Sequence, residues 1–101
     1  MGGMDSMPLH EALADRERVL NAFLDDEGRL TAMPAKHRKR LVVLDHIARV
    51  FETGQRYTEV EVNAMVRAFH DDVAMVRRYL VDSEFLSRAD GVYWRTGGSV
   101  E

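Results

Sequence analysis

The sequence predicts a mostly α, α+β domain that closes with a β-hairpin, and three observations predict it. Apolar residues recur at helical spacing in four separate stretches. Thr58 and Glu61 form a capping box directly after the strand-prone Arg56-Tyr57-Thr58. Phe85–Arg88 and Val92–Arg95 flank Asp90-Gly91, a strong hairpin turn signal. In chain order, this is a winged helix-turn-helix with an added N-terminal helix and a C-terminal hairpin as its wing.

Residues 1–8 read as a flexible leader, with helix-start chemistry at Asp5, Ser6 and Pro8. Leu9, Leu13, Leu20, Phe23 and Leu24 then line one side of a helix that stops at Asp25-Asp26-Glu27-Gly28. Arg29–Met33 is short and extended, because Pro34 disfavours helix before it. From Ala35 to about Phe51 the apolar face is broad: Leu41, Leu44, Ala48 and Phe51, widened by Val43, Ile47 and Val50. A face of that width predicts a central helix packed on two sides.

Behind the capping box, Val62, Met65, Val66 and Phe69 make the next stripe. An aspartate in His70-Asp71-Asp72 caps the following helix, which buries Val73, Val76 and Leu80. In the hairpin, period-two alternation puts Val92 and Trp94 on one face and Tyr93 and Arg95 on the other. The reading favoured for Trp94 packs it into the core and leaves the arginines in water. A single domain over residues 9–95, with a flexible tail over 96–101, completes the organisation.

The chain has 101 residues, enough for one modest core. It has no cysteine, no long apolar run and no secretory leader pattern, so the expected setting is cytoplasmic, without disulfides or membrane contact. A net charge of −3 argues against a nonspecific polyanion binder, but the charge is unevenly placed. Residues 5–27 carry a net −5, residues 28–55 a net +4, and residues 56–95 hold six bases against seven acids.

The positive field centres on Lys36-His37-Arg38-Lys39-Arg40. Four cations at a helix start oppose the helix dipole, so something anionic compensates them: an external phosphate or the acids of the N-terminal helix. Arg77 and Arg78 lie on the second helix of the pair, where arginine can hold phosphates or read guanine. Asp71 and Asp72 stand at that helix's N-terminal end, which usually meets the bases, and they weigh against docking unless Arg77 or the Lys36–Arg40 cluster neutralises them. Arg88 and Arg95 belong to the wing. His70-Asp71-Asp72 has no metal-ligand spacing, and His10, His37 and His46 are remote from it, so capping is expected, with no metal, cofactor or catalytic site. The N-terminal helix either closes the core or pairs with its counterpart in a second chain; the first is favoured.

The segments FLDDEGRL, MPAKHRKRLVVLDHIA, RYTEVEVN, FHDDVAMVRRYLVD and YWR, in this order, resemble the bacterial domain-of-unknown-function 2087 family over roughly Phe23 to Arg95. The resemblance implies a link to bacterial transcriptional regulators and brings no activity, substrate or catalytic residue. The expected function is therefore a DNA-binding regulator of winged-helix type. Lys36, Arg38, Lys39 and Arg40 would hold phosphates of double-stranded DNA, with Arg77 and Arg78 on the recognition helix and Arg88 and Arg95 on the wing. The alternative is a regulatory module of the same fold that binds a protein or small ligand without DNA contact.

Overall fold

The computed structural model describes residues 9–99, with side chains from Ala14 onward. The expected leader, residues 1–8, and the side chains of Leu9 and Leu13 lie outside the described residues. Four helices and three strands follow in the order α1 (Leu9–Phe23), α2 (His37–Ala48), β1 (Arg56–Thr58), α3 (Glu59–Arg67), α4 (Val73–Asp82), β2 (Leu86–Ala89) and β3 (Val92–Arg95). This is a small α+β domain, and its antiparallel sheet has the order β1-β3-β2.

Local chemistry sets the element boundaries. The Thr58 hydroxyl accepts from the Glu61 N–H at 3.2 Å while the Glu61 carboxylate accepts from the Thr58 N–H at 2.8 Å, so α3 starts on a complete capping box. Asp72 caps α4 by accepting from the Met75 N–H at 3.1 Å. Asp90 and Gly91 both take positive φ, 53° and 79°, and join paired Ala89 and Val92 through a two-residue turn of the type that suits strand twist. α1 ends at Phe23, sooner than the Asp-Asp-Glu-Gly signal suggests, because Leu24 pairs with Leu30 across that turn.

The core is continuous. α2 supplies Val43, Leu44, Ile47 and Ala48, all fully buried, and α3 and α4 add Val62, Val66, Val76 and Leu80. The hairpin closes it with Leu86 and Tyr93, each 1% exposed. Here the expectation for Trp94 fails. Alternation separates Tyr93 from Trp94 but does not say which faces in, and Tyr93 does. Its ring fills the core while its hydroxyl donates to Glu59 Oε1 at 2.9 Å, so its polar tip is satisfied. Trp94 lies on the outer face, where the Arg56 guanidinium sits 5.4 Å from its ring centre.

Arg95 shares the inward face with Tyr93, and water does not surround it as the sequence reading held. Its guanidinium donates to the carbonyls of Phe51 (3.2 Å), Gly97 (2.9 Å) and Ser99. Residues 96–99, assigned by sequence to the tail, run back over α2. The Ser99 N–H and hydroxyl donate to Asp45 at 2.6 and 2.8 Å, and Arg16 of α1 donates to the same carboxylate at 2.8 Å. Gly98 is required here, with φ at 95° and Asp45 Oδ1 only 2.9 Å from where a Cβ would stand.

Asp45 makes this strap pH-dependent. Burial pushes its pKa up, but the Ser99 N–H, the Ser99 hydroxyl and Arg16 outweigh burial and hold it below the ordinary 3.8. A depressed folded pKa contributes stability that is present above 3.8 and lost as pH falls through the lower folded value. Asp45→Asn is expected to lower the unfolding free energy at pH 7 by about 1–3 kcal/mol. In urea melts across pH, the gap between variant and wild type should close below pH 3.8; a constant gap would show that the carboxylate charge is not what the strap uses.

Candidate nucleic-acid interface

Three of the eight arginines and lysines singled out by sequence come together. Arg77 and Arg78 of α4 and Arg88 of β2 line one open groove of ≈ 310 Å³, with Asp82 on its wall. Arg78 and Arg88 are exposed, whereas Arg77 is half-buried and fixed. Its guanidinium donates to the Asn63 side-chain oxygen on α3 and lies 3.9 Å from Glu59 Oε2. Glu59 also accepts from the Tyr93 hydroxyl, and that hydroxyl is 3.5 Å from Arg88 Nη1. A polar relay, Asn63–Arg77–Glu59–Tyr93–Arg88, thus joins α3, α4 and the hairpin behind the groove. Fixing long side chains beforehand lowers the entropy lost on binding.

The rest of the set lies elsewhere: Lys36, Arg38 and Lys39 gather beside α1, and Arg40 and Arg95 are each held apart. Arg40 turns towards α4: it donates to the carbonyls of Ala35 (3.1 Å) and Pro34 (3.4 Å) and stacks over Tyr79, 5.0 Å from the ring centre. It works as a clamp between α2 and α4. Arg38, 71% exposed, pairs with Asp15 of α1 at 3.0 Å, and Lys36 and Lys39 stand beside that pair on the side of α2 facing α1. The acids of α1 therefore supply one counter-charge to the basic cluster. Arg95 belongs to the base of the hairpin, opposite Leu86 in the strand register, and is held by backbone carbonyls.

The aspartates at the start of α4 are accounted for, though not by the residues the sequence reading named. Arg29, which carries no local signal in its own stretch, reaches across the fold. It donates to Asp71 Oδ1 at 2.7 Å and to the Arg67 carbonyl at 2.8 Å, so it neutralises Asp71 and caps the end of α3 together. Asp71 remains 88% exposed, so this pairing is screened by solvent. Asp72 serves as the helix cap, and its N–H donates to His70 Nδ1 at 2.9 Å. His70, Asp71 and Asp72 are each engaged in turn geometry. Among the described residues no group of three or more His, Cys, Asp or Glu converges, and no helix is long and apolar enough to cross a membrane.

His46 lies next to Asp45 on α2, edge-on to Phe69 with ring centres 5.9 Å apart. Burial, then Arg16 and Arg49, push its pKa below the usual 6.5 against the pull of Asp45. The imidazole is therefore neutral near pH 7 and packs as an aromatic ring.

Tyr93→Phe isolates the relay. The ring and core are preserved, but Glu59 loses its donor and Arg88 its neighbour. The expected cost is about 1.5 kcal/mol in chemical denaturation, as for a hydrogen bond to a charged group. Adding Glu59→Gln should cost less than the sum of the single changes, since both act on one bond; strict additivity would deny the coupling.

No curated protein and no solved structure matches the chain. One family model does, over residues 29–95, a span that begins at Arg29, takes in α2 to β3 and leaves α1 outside. The matched family is described as an uncharacterized protein conserved in bacteria, and over that span the chain belongs to it, the DUF2087 family.

Proposed function

We infer that the chain is a DNA-binding transcriptional regulator of winged-helix type, with α3 and α4 as its helix-turn-helix and the β2–β3 hairpin as its wing. The observation that carries this reading is the meeting of Arg77, Arg78 and Arg88, from a helix and a hairpin, along one open groove. The element order and the β1-β3-β2 sheet support it as well. Arg78 and Arg88, exposed on either side of the groove, bind phosphates and release counterions. Arg78 also occupies the outer face of α4 from which a recognition helix reaches base edges in the major groove. Arg77, tied to Asn63 and Glu59 of α3, holds α4 against α3, and Glu59 in turn accepts from Tyr93 of the hairpin. The pairing of Arg29 with Asp71 reduces the negative charge at the leading end of α4.

DNA binding through the two phosphate-holding arginines, Arg78 and Arg88, gives a slope of log K against log salt of about −1.8. Fluorescence anisotropy on a labelled genomic duplex library should give that slope. Arg78→Glu and Arg88→Glu should each weaken binding about tenfold or more, whereas Arg56→Glu, on the outer sheet face, should change it little. Affinity that is flat with salt and indifferent to Arg78 and Arg88 would reject the DNA reading.

A further inference from the structure

The basic cluster that stays apart from the α4 groove builds a site of its own. Two adjoining cavities of ≈ 190 and ≈ 250 Å³ run between α1 and α2 and share Asp15, Val19 and Lys39. Their floor is apolar: half-buried Val42 over the core residue Val19, with exposed Ala22 and half-buried Phe23 at one end. Their rim is cationic, with Arg18, Lys36, Arg38 and Lys39 around Asp15. Asp15 pairs with both Arg38 (3.0 Å) and Arg18 (3.2 Å), so among the described residues one carboxylate lines the cavities against four cations. Lys36 and Lys39 form no ion pair among the described residues. The start of α2 adds charge of the same sign, since its cap Lys36 makes no side-chain hydrogen bond and its first turn carries no acid. The rim is thus electrostatically unsatisfied within the described fold.

Two features decide what it suits. An apolar strip between cations gains nothing from a phosphate backbone but gains from burying an aliphatic side chain. The strip is short, with Lys36, Lys39 and Val42 spaced along two turns of α2, and this matches about two turns of a second helix lying across it. Position separates this groove from the DNA site as well: Arg40 faces Tyr79 and α4, while Arg38, Lys39 and Val42 face α1.

We propose that the α1–α2 groove binds an acidic amphipathic helix of a protein partner, with aliphatic side chains against Val19 and Val42 and carboxylates on Lys36, Arg38 and Lys39. Helix-in-groove docking of this kind uses apolar anchors one turn apart for affinity and flanking charge for orientation. The site stands whether or not the chain binds DNA.

The test uses the full chain and a fluorescein-labelled helical peptide of about four turns, built from Glu and Ala with Leu at i, i+3, i+4 and i+7. Anisotropy should show saturable binding that falls at least about tenfold in the Lys36→Glu/Lys39→Glu double variant, whose exposed positions leave the core intact. Arg78→Glu should leave peptide binding unchanged. Replacing each Leu by Ala in the peptide should also lose at least about tenfold. The proposal is overturned if wild type fails to bind the peptide, or if the leucine-free peptide binds equally well. It is also overturned if a DNA duplex binds with a dependence on Lys36 and Lys39 and none on Arg78, which would make the groove a nucleic-acid site.

Discussion

The domain depends on one side chain placed at the junction of three elements. Tyr93 sits in the centre of the sheet, paired with Tyr57 of β1 and Arg88 of β2, and is almost fully buried. Its ring supplies core volume and its hydroxyl binds Glu59 at the first residue of α3. Because strand side chains alternate, the inward position of Tyr93 also dictates where its neighbours go. Trp94 is turned out, Arg95 is turned in towards backbone carbonyls, and Arg88 is brought alongside α4. The shape of the cationic groove is therefore a consequence of core packing in the hairpin.

The same logic explains why an acidic chain carries two basic sites. Arg40 lies one residue beyond Lys39, yet a step of about 100° around a helix sends it to a different neighbour. Arg40 becomes an α2–α4 clamp, while Arg38 and Lys39 look towards α1. A single run of five residues in sequence is thus divided between structure and surface. The acids are divided likewise: Asp15 and Asp45 tie α1 and the C-terminal strap to α2, and Asp71 and Asp72 finish the α3–α4 turn.

Much of the fold is legible in short-range chemistry. Thr58 with Glu61, Asp72 before α4 and Asp90-Gly91 are signals whose partners lie within three residues, and each element begins or turns where they say. The parts that sequence reading missed are long-range. Arg29 meets Asp71 across 42 positions, and Ser99 meets Asp45 across 54. Nothing near Arg29 or Ser99 in the chain announces those contacts. The exchange of Tyr93 for Trp94 has a different origin: alternation fixes parity only, and size favours tryptophan in a core. The Glu59 acceptor, decisive for tyrosine, is 34 residues away. For the candidate site, residue type is readable in the sequence and convergence is not: Arg77, Arg78 and Arg88 meet, while the other five cations point elsewhere.

α4 and the hairpin form one preorganised cationic surface, distinct from the groove between α1 and α2. Amide chemical-shift mapping of the labelled chain during titration with a DNA duplex reads out which of the two surfaces is engaged. Perturbations concentrated on Ala74–Asp82 and Ser87–Val92, with Lys36–Val42 unmoved, are the predicted result. Shifts centred on Lys36–Val42, or none at a saturating duplex concentration, would contradict engagement through α4 and the hairpin.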